Sequence, residues 1–109
     1  MTSLAENPGL GGRNQELVLS AMRHLSAAGL GRIVMLSGGT DGEDGPTDAA
    51  GAIGDKRIWH TALRKQLDPA EFLRRHDSYH FFEATRGLIK TGLTNTNVMD
   101  LRVLLIGDA

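Results

Sequence analysis

Cysteine is absent from this 109-residue sequence, which excludes a disulfide framework and thiolate metal sites and suits a reducing compartment. A net charge of one sign is nearly absent too, since 12 basic and 13 acidic side chains leave a formal charge of −1. No overall field therefore favours nucleic acid or an anionic membrane as a partner. Long hydrophobic runs are missing, and residues 1–9 have neither the basic nor the apolar region of a secretory signal. We therefore expect a cytoplasmic protein that binds neither nucleic acid nor membrane.

What the sequence does contain is the composition of one small globular domain. Hydrophobic residues make up 40% of the chain and charged residues 23%, as in soluble globular proteins, and 109 residues fit a single domain. Residues 1–10 show no hydrophobic periodicity and include an Asn-Pro-Gly turn signal. We therefore predict a loose arm over residues 1–10 and a folded domain over residues 11–109.

Chemically active side chains are concentrated in a glycine-rich loop that follows a short apolar segment. Residues 33–36 predict a buried strand, because the run is short, partly β-branched and bounded by glycine. The loop after it, which we call the acidic loop (residues 37–48), has no Lys or Arg and carries Asp41, Glu43, Asp44 and Asp48. Crowded carboxylates repel one another unless a cation lies between them, so Asp41 and Asp44 are candidate metal ligands. The alternative is a solvated turn, since such loops are often rich in Gly and Asp for conformational reasons.

A second candidate site lies at the start of the first predicted helix. Apolar residues recur with helical spacing over residues 17–28, and Asn14 and Gly29 are suited to begin and end that helix. Two glycines and Arg13 directly precede Asn14. Free backbone N–H groups and an arginine fork at a helix N-terminus suit a phosphate or a carboxylate. The alternative is a capped helix with a surface arginine.

The remaining chain alternates between helical and strand patterns, which predicts a three-layer α/β domain and leaves the strand directions open. Residues 101–106 form the strongest strand pattern, and their near-continuous hydrophobicity predicts burial on both faces in the middle of the sheet. Asp77 is expected to cap the helix that carries Phe81 and Phe82 inward. The other predicted elements are strands at residues 49–53 and 88–91, helices at residues 56–66 and 69–76, and a polar loop at residues 92–97.

Common nucleotide and hydrolase motifs are absent from the sequence. Residues 9–14 begin like a dinucleotide-binding fingerprint, but Asn14 replaces the third glycine and no strand precedes it. There is no P-loop and no serine nucleophile elbow. His76 and His80 are four residues apart and would share a helical face. Because no third ligand is evident, we expect two solvent-facing histidines rather than a metal site.

Three motifs, in this order along the chain, resemble the MOFRL domain. They are residues 11–16 (Gly-Gly-Arg-Asn-Gln-Glu), residues 37–47 (beginning Ser-Gly-Gly-Thr-Asp-Gly) and residues 97–100 (Asn-Val-Met-Asp), the last after a Thr-Gly-x-Thr opening. Residues 77–82 also look like the family, and the resemblance covers residues 11–106. The MOFRL domain is the C-terminal half of the glycerate 2-kinase family, whose bacterial members are often named hydroxypyruvate reductases.

This resemblance implies a two-domain enzyme whose active site lies between a larger N-terminal α/β domain and the present one. It implies that the present domain is a three-layer α/β/α unit with a mixed β-sheet. The implied reaction is phosphoryl transfer from ATP, with Mg²⁺, to the 2-hydroxyl of D-glycerate. The alternative is NAD(P)H-dependent interconversion of hydroxypyruvate and glycerate. We favour the kinase because phosphoryl transfer needs mainly positioning and charge neutralisation, and no nicotinamide fingerprint occurs in this chain.

Positions that match the family motifs carry the implied site. Arg13 would clamp a phosphate or the glycerate carboxylate. Asp41 would orient Mg²⁺ or accept the hydroxyl proton, with Asp44 as a second metal ligand. Asn95 stands where many relatives have glycine, so the backbone approach there is expected to differ. The implied substrate- or phosphate-binding residues are Gly11, Gly12, Asn14, Gln15, Gly38, Gly39, Thr40, Thr94, Thr96 and Asn97.

The larger N-terminal domain is not expected within these 109 residues, so that domain is the expected partner, whether as a separate chain or as the rest of a longer enzyme. Half a site positions a substrate poorly and admits water. We therefore expect no turnover of glycerate by the isolated chain. Two alternatives remain open: a stand-alone anion-binding module, and a remnant that folds as a homodimer and so covers its exposed apolar surface.

Overall fold

A computed structural model describes residues 9–30, 33–40, 42, 44–92 and 100–106. Helices and a small sheet account for most of these residues, in the alternating order that the sequence predicts. The elements are α1 (Arg13–Leu30), β1 (Ile33–Gly39), β2 (Gly51–Gly54), α2 (Lys56–Arg64), α3 (Pro69–Arg74), α4 (Ser78–Thr85), β3 (Leu88–Ile89) and β4 (Asp100–Ile106).

The four strands form one sheet in the order β3-β2-β1-β4. The predicted α/β class is confirmed. Each described pairing, however, is antiparallel, whereas the resemblance implied a mixed sheet. For β1 and β2 the reason is that a loop, and not a crossover helix, joins them, so β2 runs back alongside β1.

One hydrophobic core lies between the helices and one face of the sheet. Met35 of β1 and Ala52 of β2 are buried on that face, and Phe81 and Phe82 of α4 pack into the same core. The described helices contribute to this single core, so the second helical layer of the predicted three-layer arrangement is not found among the described residues. The buried members of the core are Val18, Leu19, Met22, Met35, Ala52, Ile58, Ala62, Phe81 and Phe82.

The starts of α2 and α3 agree with the sequence prediction, whereas the residues that cap α1 and α4 differ from it. Asp68 caps α3 ahead of Pro69, as the Asp-Pro pair predicts. Asn14, predicted to be a cap, lies inside the first turn of α1, and Gly29, predicted to end that helix, lies within it. The carboxylate of Asp55 caps α2 by accepting from the backbone N–H of Ile58.

Asp77 does not cap α4 with its side chain, contrary to the prediction. Its carboxylate instead accepts a hydrogen bond from the backbone N–H of Leu10, at 2.9 Å, and the backbone N–H of Tyr79 donates to the carbonyl of Leu10 at 2.8 Å. Two backbone contacts thus hold Leu10 against the start of α4. The loose arm predicted over residues 1–10 is therefore wrong at its last residue, and residues 1–8 lie outside the described part.

The strand predicted to be central is instead an edge strand. In β4, the exposed fractions are 55% for Leu101, 59% for Leu104, 60% for Leu105 and 66% for Ile106. The described sheet has β4 at one end, paired only with β1. Near-continuous hydrophobicity predicted burial that this chain alone does not supply.

No described helix combines the length and hydrophobicity needed to cross a membrane.

Candidate functional site

The acidic loop supplies the cap of α1. One carboxylate oxygen of Asp44 accepts from the backbone N–H of Asn14 at 3.0 Å and from its side-chain amide at 3.1 Å. The other oxygen accepts from the backbone N–H of Gln15 at 2.8 Å. Asp44 is buried, and a negative charge is stabilised at a helix N-terminus by the partial positive charge there. Asp44 is therefore a capping residue provided by a loop distant in sequence.

This arrangement bears on two of the proposed ligand roles. The N–H groups of Asn14 and Gln15, proposed to bind an anion, already donate to Asp44. The three donors around Asp44 favour a capping role over its proposed metal role, and no group of three or more His, Cys, Asp or Glu in the described ranges is placed to hold a metal ion. Asp41, the other proposed ligand, lies outside the described residues, so its role stays a prediction.

The glycines before α1 allow the acidic loop to pack closely against the helix start. A Cβ atom on Gly12 would lie 2.4 Å from the carboxyl carbon of Asp44, and one on Gly11 would lie 2.3 Å from the hydroxyl of Ser78. Gly45 has a φ of +65° and approaches the carbonyl of Gly11. Gly11 and Gly12, proposed as phosphate-binding residues, are thus required for packing within the chain.

Asn14 connects the acidic loop to two strands. Besides bonding Asp44, its side-chain amide donates to Asp100 at 3.1 Å, and its side-chain oxygen accepts from the hydroxyl of Ser37. Its neighbour Gln15 donates to Thr47 at 3.0 Å. Because Asn14 and Gln15 are buried, and buried polar groups are costly when unpaired, this network fixes the start of α1 relative to β1 and β4.

Arg13 is held in place by Asp100 at the start of β4. Its Nε donates to one carboxylate oxygen at 2.7 Å and a terminal nitrogen donates to the other at 3.1 Å. The arginine side chain is 67% exposed and that of Asp100 only 18%. This bidentate geometry sets the plane of the guanidinium. Sequence reasoning assigned no role to Asp100, although it is the one acid in the third motif.

Hydrogen bonds from Arg13, and secondly from Asn14, hold the pKa of Asp100 below its ordinary value of 3.8. The stabilisation from these contacts is therefore present above pH 3.8 and is lost as the pH falls through the lower pKa of the folded state. We expect Arg13→Ala to raise the pKa of Asp100, measured by carbon NMR of its carboxyl group. Arg102→Ala should raise it less, because Arg102 makes only the weakest contribution. Equal shifts in the two variants would contradict the assignment.

The proposed glycines of the second motif lie beside this pair. Gly39, the last residue of β1, is the cross-strand partner of Asp100, and Gly38 is the partner of Leu101. Thr40 follows directly. The structure therefore brings Arg13, Gly38 and Gly39 to one end of the sheet. Of the other proposed site residues, Thr94, Thr96 and Asn97 lie outside the described part of the chain, as Asp41 does.

A second polar cluster, also missed from the sequence, lies on the surface next to β3. The hydroxyl of Tyr79 donates to Asp48 at 2.7 Å, and the ammonium of Lys90 lies 3.3 Å from the other oxygen of that carboxylate. The hydrogen bond from Tyr79 is the main cause of a lowered pKa at Asp48. By contrast, His76 and His80 contact different carboxylates, Glu16 and Asp77, so they do not form a pair.

Comparisons with known proteins agree with the motifs. The model of the MOFRL family matches residues 1–100. A glycerate kinase of Danio rerio is 47% identical over 102 residues, which cover 90% of this chain and 20% of that protein. A D-glycerate 2-kinase of Thermotoga maritima is 46% identical over 98 residues, which cover 90% of this chain and 23% of that protein.

Two solved structures have the same fold. The crystal structure of glycerate kinase from Thermotoga maritima superposes with a TM-score of 0.79 at 42% identity, over 96% of this chain and 25% of that one. The PH0495 protein from Pyrococcus horikoshii gives a TM-score of 0.84 at 34% identity, over 99% and 24%. The chain thus spans only 20% to 25% of the length of these relatives. With its motifs in order and the family model matched over residues 1–100, the chain belongs to the MOFRL family.

Proposed function

We propose that this chain is the domain of a glycerate 2-kinase that forms one wall of the active site, while a larger N-terminal α/β domain forms the other. The proposed reaction is transfer of the terminal phosphoryl group of ATP to the 2-hydroxyl of D-glycerate. The observation that carries the proposal is the oriented guanidinium of Arg13 at the end of the sheet that also holds Gly38 and Gly39. The names of the relatives support the substrate.

In this proposal Arg13 binds the substrate anion, either the carboxylate of D-glycerate or a phosphate oxygen. A guanidinium presents its N–H donors in a planar fork, and two of its nitrogens donate to Asp100. Because Asp100 sets the plane of the fork before substrate arrives, little orientational freedom is lost on binding. Asp100 is therefore proposed as a positioning residue. Thr40, Thr94, Thr96 and Asn97 remain proposed substrate contacts, and Asp41 remains the proposed proton acceptor.

The described residues do not offer a site for Mg²⁺, since Asp44 caps α1 and no other suitable group of ligands lies among them. In this proposal the larger domain binds the nucleotide, and Asp41 keeps its proposed role toward Mg²⁺. When bound, the metal neutralises charge on the transferring phosphate. In this proposal the residues of this chain bind and orient the acid substrate.

A chimeric enzyme tests the proposal. The segment of the Thermotoga maritima D-glycerate 2-kinase that matches this chain is replaced by this chain, and ATP-dependent phosphorylation of D-glycerate is measured by a coupled assay. We expect turnover by the chimera and none by the isolated chain, because the latter lacks most of the site. NADH-dependent reduction of hydroxypyruvate is followed in parallel.

Three results would overturn the proposal. One is a folded chimera that reduces hydroxypyruvate but does not phosphorylate glycerate, which would favour the reductase. Another is turnover of glycerate by the isolated chain well above background. The third is a folded chimera with neither activity while the isolated chain binds glycerate or phosphate in calorimetry, which would favour an anion-binding module. The unmodified Thermotoga maritima enzyme is the positive control.

A further inference from the structure

Strand β4 has the composition of a buried strand at an exposed position. Four of its seven residues are large, apolar and more than half exposed: Leu101, Leu104, Leu105 and Ile106. Edge strands are usually protected from further pairing by short length, proline or charge. After Asp100, β4 has neither proline nor any charged residue except Arg102. Its outer edge is therefore suited to pair with another strand.

Both faces of β4 contribute to this surface. Leu104 lies opposite Met35 on the helix-facing side of the sheet, whereas Leu105 lies opposite Val34 on the other side. On the helix-facing side, α1 leaves a groove of about 240 Å³ beside β4. Leu17, which is 42% exposed, forms part of its far wall. A strand that is apolar on both faces is typical of the interior of a sheet covered on each side.

We infer that β4 is the docking strand for the larger domain, which adds a strand along the edge of β4 that no described strand pairs with and covers its two apolar faces. This inference rests on the proposed function. We define the docking surface as Leu17, Leu101, Leu104, Leu105 and Ile106. In the docked state β4 becomes the interior strand that its sequence predicts, and backbone hydrogen bonds along the edge add to the burial of the leucines.

Two observations identify the larger domain as the occupant. The relatives match nearly all of this chain, yet this chain spans only 20% to 25% of their length, so a large part of each relative remains to contact a surface that this chain leaves exposed. The docking surface is also continuous with the candidate site, because Asp100, which holds Arg13, is the first residue of β4. A domain that completes the candidate site next to Arg13 and Asp100 would therefore also contact β4.

Hydrogen exchange in the chimera and in the isolated chain tests the inference. Alternate backbone amides of β4 point away from β1. We expect these amides to exchange at least about tenfold more slowly in the chimera than in the isolated chain. Leu105→Lys in the chimera should reduce that protection about tenfold, because it places a charge in an apolar contact. Leu63→Lys is the matched control, since Leu63 of α2 is 57% exposed and lies outside the docking surface, and it should leave protection unchanged.

Equal exchange of these amides in the folded chimera and the isolated chain would overturn the inference. So would equal effects of Leu105→Lys and Leu63→Lys. A third contrary result is an isolated chain that sediments as a dimer, is made monomeric by Leu105→Lys and has unprotected β4 amides in the chimera, because the occupant would then be a second copy. Exchange is measured without substrate. Protected amides in a chimera that lacks kinase activity would therefore support docking and count against the proposed function alone.

Discussion

Replacing Arg13 with alanine should lower the turnover of D-glycerate by the chimeric kinase on the order of 100-fold, as removal of one oriented donor to a developing or bound anion commonly does. The reason is the bidentate contact with Asp100, which presents the guanidinium in one plane at the end of the sheet. Loss of Arg13 removes both the charge and the orientation. The measurement is kcat and KM in the coupled assay, with D-glycerate varied.

Two further substitutions serve as controls. One tests whether the planar guanidinium or only the positive charge of Arg13 is needed, and the other tests the effect of removing a different arginine from α1. Arg13→Lys keeps the charge but not the planar bidentate geometry, so its activity should lie between those of the unmodified chimera and Arg13→Ala. Arg23→Ala removes an exposed arginine from the same helix and should leave kcat and KM unchanged. Near-normal activity of Arg13→Ala would remove Arg13 from the site.

Asp100→Asn tests whether the carboxylate acts through Arg13. Asparagine keeps the size of the side chain and loses one acceptor oxygen and the charge, so the guanidinium is held less firmly. We expect a raised KM for D-glycerate with a smaller change in kcat than Arg13→Ala causes, because the substrate-binding cation is still present. A purely structural Asp100 would instead lower stability and leave the KM of the folded enzyme unchanged.

Local signals in the sequence were sufficient for most helices. The pair Asp68-Pro69 predicted the start of α3, and α2 begins at Lys56 as predicted. Such signals depend on neighbours along the chain, which the sequence displays directly. Asn14 and Asp77 show where this reasoning fails. Both residues have side chains suited to capping the nearest helix. Yet the side chain of Asn14 bonds to Asp44 and Asp100, and that of Asp77 accepts from the backbone N–H of Leu10, and only the tertiary fold brings these groups close.

The candidate site was predictable as a set of motifs but not as a set of contacts. The resemblance drew attention to Arg13 and Gly39, which the fold brings near the same strand end. It did not reveal Asp100 as the partner of Arg13, because a bond between residues 87 positions apart has no local pattern. The edge position of β4 was missed for a related reason. The hydrophobic pattern of β4 predicts that the strand is buried, but the pattern does not say whether this chain or another part of the protein covers it. This chain matches only part of its relatives.

Replacing Asp44 with alanine should lower the free energy of unfolding of the isolated chain by about 3 kcal/mol, measured by urea denaturation. The substitution leaves the backbone N–H groups of Asn14 and Gln15 without their acceptor at a buried helix start. Asp48→Ala, in the same loop, is the matched control. Asp48 is 65% exposed at its side chain, and its loss should lower the free energy of unfolding much less than the loss of Asp44 does, because exposed ion pairs contribute little.

The same pair of variants, studied with and without a chelator, distinguishes capping from metal binding. If Asp44 caps α1, the loss of stability in Asp44→Ala should be equal with EDTA and with Mg²⁺, because the acceptor is needed in either case. If Asp44 were a metal ligand, removing one carboxylate from the crowded loop should be neutral or stabilising in EDTA, since like charges repel when no cation lies between them. A loss of stability that appears only with Mg²⁺ would therefore overturn the capping role and return Asp44 to the proposed metal site.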